Sequence, residues 1–231
     1  MPVSVIIPVA PSDDAWADLI PQLQLPENSE IVICPGKQNF NPDVPGISEN
    51  VRLTVCREGQ GRAGQMNAGA HMATHDMIWF LHGDSRINQE TLKQLGHGIA
   101  RKAEALYFFD LKFLDDGPKA MGWNERAVRW RAGWMKIPFG DQGFLIPKVL
   151  FSRLGGYRED LAYGEDHVFV WKVRQEGYPV IRLPAPVYTS ARKYQKGGWL
   201  SVTVKHVWLT IVQAVPNWLE LKRRQLMRVF R

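Results

Sequence analysis

Cysteine is scarce: Cys34 and Cys56 are the only two in 231 residues, and neither sits at a metal-binding or redox spacing. That excludes a disulfide framework and a zinc ribbon, so both thiols are expected to pack as small apolar residues in strands of a cytoplasmic protein. Long apolar runs are also missing. No basic start leads into an apolar stretch with a small-residue cleavage site, and no secretory leader is expected. The apolar region after residue 199 is broken by Lys205 and His206 and is too short to span a bilayer. Neither an internal repeat nor a low-complexity tract is present, which excludes solenoid and fibrous architectures. Acids are almost absent from residue 192 onward, where nine Lys or Arg face Glu220 alone, so the net charge of +6 resides in the tail and the body is near neutral. Such a tail suits an anionic membrane surface, nucleic acid or an acidic partner. Aromatic residues interleaved with basic ones at single-strand spacing are lacking, so a nucleic-acid partner is not expected.

What the chain does hold is enough apolar material, 45% of its residues, to fill one core but not two. Val3–Pro8, Glu30–Cys34, Val51–Val55 and Met77–Leu81 read as strands. Asp13–Leu25, Arg62–Met72 and Asn88–Ala100 read as helices, the last capped by Asn88. This alternation predicts an α/β domain with a mainly parallel sheet over residues 1–198. Ligands on such sheets bind beyond the carboxyl ends of the strands, which directs attention to Pro8–Pro11, Cys34–Gly36 and His82–Ser85. Residues 35–45 read as a loop. Residues 199–231 form an amphipathic, basic extension in which Leu200, Val204, Val207, Trp208, Ile211 and Val215 make a helical stripe and Pro216 is expected to divide two helices. A membrane interface, the protein's own core or a second copy in a homodimer would each cover that stripe.

Three groups of residues carry chemistry. Gly61-Arg62-Ala63-Gly64-Gln65-Met66-Asn67-Ala68-Gly69-Ala70 combines small residues, which let a backbone approach a ligand, with an arginine able to answer a diphosphate. His82-Gly83-Asp84-Ser85 follows an apolar strand and offers a carboxylate at its end. Gly164-Glu165-Asp166 opens a helix whose N-terminus keeps a carboxylate ionised. Together with Pro138-Phe139-Gly140-Asp141-Gln142-Gly143 and Gly155-Gly156-Tyr157, in this order, these residues resemble a family 2 glycosyltransferase of the GT-A fold. Within that family the chain is most similar to a bacterial subgroup associated with radical-SAM and selenium genes.

The resemblance implies an inverting transfer of a sugar from a nucleotide-diphosphate donor to a hydroxyl acceptor, one that is lipid-linked if the tail rests on a membrane. It implies Asp166 as general base with Glu165 beside it, and Asp84 as ligand of a divalent cation, Mn²⁺ or Mg²⁺. His82 stands where the family has the first acid of Asp-x-Asp. Pro8, Arg62, Gln65, Asn67, Asp84, Asp141 and Gln142 would line the donor pocket. Family members also carry acids after the first and second strands, the second of them contacting the nucleobase. Here Pro8-Val9-Ala10-Pro11 and Cys34-Pro35-Gly36-Lys37-Gln38 replace them, so weak discrimination among nucleobases is expected. The same departure leaves open a pseudoenzyme that binds nucleotide sugar without turning it over.

Overall fold

Apolar runs, buried on both faces at the centre and partly exposed toward the edges, become the strands of one seven-stranded sheet in the computed structural model, which describes residues 1–11, 13–36, 40, 47 and 50–229. The strands are β1 (Ser4–Val9), β2 (Glu30–Pro35), β3 (Arg52–Val55), β4 (Met77–Phe80), β5 (Leu106–Phe113), β6 (Phe144–Pro147) and β7 (Val180–Thr189), in the order β3-β2-β1-β4-β6-β5-β7. β1 lies parallel to β2 and β4, and β2 to β3. β6 runs antiparallel to β4 and β5, while β5 and β7 pair in parallel with a register shift at Phe109/Asp110. The mainly parallel sheet is as expected, with β6 its reversed member.

Every residue of β1, β2 and β4 is buried, as a central sheet covered by helices on both sides requires. Successive side chains alternate between two cores. Ile7, Trp79, Tyr107, Phe109 and Leu145 fill one. Ile6, Phe80, Phe108, Phe144 and Phe151 fill the other. The helices are α1 (Trp16–Leu19), α2 (Gly61–Met72), α3 (Gln89–Ala100), α4 (Met121–Trp134), α5 (Lys148–Arg153), α6 (Glu165–Gln175), α7 (Arg192–Gly197) and α8 (Trp199–Val229). α2 sits so close to the sheet that a Cβ on Gly69 would lie 2.6 Å from both Cys34 Sγ and Ile6 Cγ2. Cys34 is in β2, Cys56 follows β3, and both are buried free thiols.

Asn88 caps α3 reciprocally: its Oδ1 accepts from Thr91 N–H at 3.0 Å and Thr91 Oγ1 accepts from Asn88 N–H at 3.2 Å. Two expectations are corrected. The helix expected over 13–25 is one turn, α1, running into a 3-10 turn at Ile20–Gln22, because Pro21 brings no N–H to continue the ladder. The two helices expected around Pro216 are the single helix α8. Val212, whose carbonyl loses its partner to Pro216, is on the exposed side, where solvent can replace the bond, and the Asn217 side-chain amide donates to Gln213 O at 2.8 Å. The loop expected at 35–45, with Lys37 and Gln38, lies largely outside the described residues. Among the described residues no helix is long and apolar enough to cross a membrane.

Candidate active site

Four segments converge beyond the carboxyl ends of β1 and β4: the start of α2, the His82–Asp84 turn, the 3-10 turn Gly140–Gln142 and the start of α6. Asp166, buried in the first turn of α6, accepts from Gly140 N–H on Oδ2 at 2.5 Å and from His167 N–H on Oδ1 at 2.8 Å. Burial pushes its carboxyl upward, but the Arg62 charge, the Gly140 N–H, His82 and the His167 N–H together hold it below its ordinary value. Gly140 is required by closeness: a Cβ there would stand 2.9 Å from Asp166 Oδ2 and 3.2 Å from His82 Nε2.

Arg62 donates from Nε to Glu165 Oε1, an ion pair that closes across 103 residues of sequence. Burial opposes its charge, and Asp166, Glu165 and Asp141 outweigh that and raise its pKa. Its side chain remains 45% exposed and faces a cleft lined by Gln60, Ala63, Glu159, Tyr163 and Glu165. Burial and Arg62 push the His82 imidazole down, while Asp84, Asp141 and Asp166 pull it up; the net shift is downward, so the ring is neutral at neutral pH. Asp84 Oδ2 accepts from Thr189 Oγ1 at 3.4 Å, and Asp141 Oδ1 is buried with no hydrogen-bond partner.

Arg62, His82, Asp84, Asp141, Glu165 and Asp166 are thus one electrostatic cluster. Other residues singled out in the sequence are engaged elsewhere. Pro8 is an internal residue of β1 paired with Cys34. Gln65 Nε2 donates to Val9 O at 3.1 Å, pinning α2 to the end of β1. Asn67 donates to Tyr157 O and Glu159 Oε1, both at 2.8 Å, and accepts from Tyr157 N–H at 2.9 Å, so it laces α2 to the loop before α6. Gln142 donates to Phe109 O at 2.9 Å and accepts from Phe139 N–H at 3.1 Å, which fixes the turn carrying Gly140 and Asp141. Among the described residues no group of three or more His, Cys, Asp or Glu forms a ready metal cage.

Arg131 of α4 is a site residue that sequence reasoning missed. Its guanidinium lies 3.4 Å from the centroid of the Phe139 ring, with Nε and Nη2 buried and unpartnered. Burial lowers its pKa to about 10 against the pull of Asp141 and Asp166. In the sequence it is one of three arginines, with Arg126 and Arg129, in a stretch with no motif, and only the fold turns it inward.

Behind the carboxylate, Trp171 Nε1 donates to His167 Nε2 at 2.9 Å, which leaves the His167 proton on Nδ1, directed to Gln213 Oε1 of α8 at 2.9 Å. Burial is the main cause of the low His167 pKa.

The model of the family described as Glycosyl transferase family 2 matches residues 38–159, a range that ends before α6. Among solved structures the chain is similar to S. aureus TarS 1-349, with a TM-score of 0.60 and 18% identity, covering 82% of this chain and 60% of that one. It is similar as well to the same protein in complex with UDP-GlcNAc, with a TM-score of 0.59 and 18% identity over 82% of this chain and 58% of that one. The complex with UDP gives a TM-score of 0.59 and 18% identity, over 82% of this chain and 60% of that one. The chain therefore spans less than two thirds of those proteins and shares their GT-A fold. No curated protein sequence matches it.

Proposed function

The chain belongs to glycosyl transferase family 2, and on that premise we propose that it moves a sugar from a nucleoside-diphosphate donor to an acceptor hydroxyl, with inversion at the anomeric carbon. The observation that carries this reading is the Asp166 carboxylate, ionised, buried and held on both oxygens by backbone N–H groups at the mouth of the sheet. TarS, seen with UDP and with UDP-GlcNAc, supports a nucleotide-sugar donor.

As the acceptor oxygen bonds to the anomeric carbon, its proton passes to Asp166 and the bond to the diphosphate breaks on the opposite face, leaving the electron pair on the phosphate oxygen. Arg62, still partly exposed, answers that charge, and Glu165 orients Arg62 through their ion pair. Arg131, with two unpartnered nitrogens and its charge supported by Asp141 and Asp166, is a second donor for phosphate or sugar oxygens.

A divalent cation arriving with the diphosphate would draw on the carboxylates of Asp84 and Asp141, one oxygen of Asp141 having no hydrogen-bond partner, and would take most of its shell from phosphate oxygens, because the described residues form no cage of three or more protein ligands. Such an ion neutralises charge on a departing diphosphate.

The test is a panel of nucleotide sugars with Mn²⁺ or Mg²⁺, reading release of nucleoside diphosphate. Asp84→Ala is expected to lower release by about 10² or more, because a missing charge-stabilising group costs that order in rate. Unchanged release in Asp84→Ala, or full activity in excess chelator, removes Asp84 from the donor site.

A further inference from the structure

α8 leaves a long apolar stripe uncovered. An amphipathic helix on a protein normally buries its apolar stripe and shows water its polar one. The side of α8 that meets the body buries Leu221 and packs Val202 and Ala214, and between them it makes a row of polar contacts. Thr203 bonds Asn124, Gln213 bonds His167, Asn217 O accepts from Gln175, and Arg224 pairs with Glu176. Its opposite side carries Val204, Trp208, Ile211, Val215, Trp218 and Leu219, all between 47% and 64% exposed.

α4 repeats the arrangement. It buries Met121 and Ala132, while Trp123, Trp130 and Trp134, spaced to fall on one face, are 67%, 59% and 76% exposed. Trp130 and Trp134 stack at 5.4 Å. The two helices meet at one end and share an apolar cluster near the other: Trp199 and Thr203, at the start of α8, bond Asn124 of α4, and Ile137, just past α4, belongs with Trp171 of α6 and Leu221 of α8 to one buried cluster.

We propose that α4 and α8 together form a docking face for the surface of an anionic lipid bilayer. Two adjacent apolar ridges with five exposed tryptophans exceed the scattered apolar residues normal on a soluble surface. Tryptophan, with an apolar body and one N–H, suits the boundary between acyl chains and headgroups. Charge selects the lipid. Arg126 lies over the Trp123 ring and Lys222 over the Trp218 ring, each placing a cation beside the aromatic that would enter the interface. Lys205 and Arg223 flank the stripe. Glu220, the acid of α8, is already paired with Arg223 and Arg224 and offers nothing to a basic partner. A second copy placed on this face by a two-fold axis would set one basic face against another, whereas phosphate headgroups answer the cations. Gln213 on the inner side of α8 bonds His167, and Arg131 of α4 lies within the electrostatic reach of Asp166, so the docking face backs directly onto the carboxylate cluster.

The full-length chain should float with vesicles of equal parts phosphatidylglycerol and phosphatidylcholine, and detach with added salt. Trp208→Ser/Ile211→Ser, Trp130→Ser/Trp134→Ser and Lys222→Glu/Arg223→Glu are each expected to weaken binding at least about tenfold while retaining the wild-type circular dichroism spectrum, because all six side chains are outside the cores. Failure of the wild-type chain to float overturns the proposal, as does equal flotation of all three double variants. Equal flotation of the α4 variant alone removes α4 from the face. A lipid-independent dimer in sedimentation velocity that Trp208→Ser/Ile211→Ser dissociates would assign the face to a second copy instead.

Discussion

At the scale of single residues the site depends on Gly140, whose N–H bonds Asp166 Oδ2 and whose missing Cβ leaves room for that oxygen and for His82 Nε2. Gly140→Ala must displace one of them. The expected outcome is a fall in kcat of about tenfold or more with the donor KM little changed, since misplacing a reacting group costs rate more than binding. Steady-state kinetics on the best donor of the panel checks this, and a wild-type kcat would dissociate Gly140 from base placement. Asp166, Glu165, Asp84, Asp141 and Arg62 were singled out in the sequence by motifs that resemble the family's, and the fold brings these five side chains into one cluster. The roles of Gln65, Asn67 and Gln142 were not legible there. Their amides bond Val9, Tyr157 and Phe109, partners 33 to 90 residues away that local patterning does not reveal. Arg131 was hidden for the same reason.

Between elements, the opposite end of the sheet is closed by Glu30. It is buried and accepts from Ser4 Oγ at 2.6 Å, Thr74 N–H at 2.5 Å, Thr74 Oγ1 at 2.9 Å and Arg52, tying β1, β2, β3 and the segment after α2. Burial alone would raise its pKa, but the bonds from Ser4, Arg52 and Thr74 bring it from 4.5 down to about 2. A carboxyl depressed in the folded state stabilises above its unfolded value and loses that contribution as pH falls toward the folded one. Stability from this group, on the order of 3 kcal/mol, is therefore expected to drain away between about pH 4.5 and 2. Urea melts across that range should show a shallower pH dependence in Glu30→Gln than in the wild type; parallel curves would show that the latch contributes nothing to acid stability. β1, β2 and β4 were readable as elements because their runs are mostly apolar, and β3 because Leu53 and Val55 alternate with Arg52 and Thr54. The reversed direction of β6 was not, since periodicity carries no strand direction, and the continuity of α8 through Pro216 depends on an exposed carbonyl that sequence alone does not place.

At the scale of the molecule, sheet order and family membership bring six charged or titratable side chains to one mouth, and the basic, apolar α8 closes over its rear through Gln213. The family match ends at residue 159, so the proposal of Asp166 as base rests on this chain's own geometry at the start of α6. Asp166→Asn keeps the size and much of the hydrogen bonding of the carboxylate and cannot take the proton. Glu165→Gln alters its neighbour and leaves the base intact. The decisive measurement is transfer rate against donor affinity in these two variants. Asp166→Asn is expected to bind donor as the wild type does and to transfer about 10² or more slower. Normal turnover in Asp166→Asn, beside a dead Glu165→Gln, would contradict the assignment of Asp166 and move the base to Glu165.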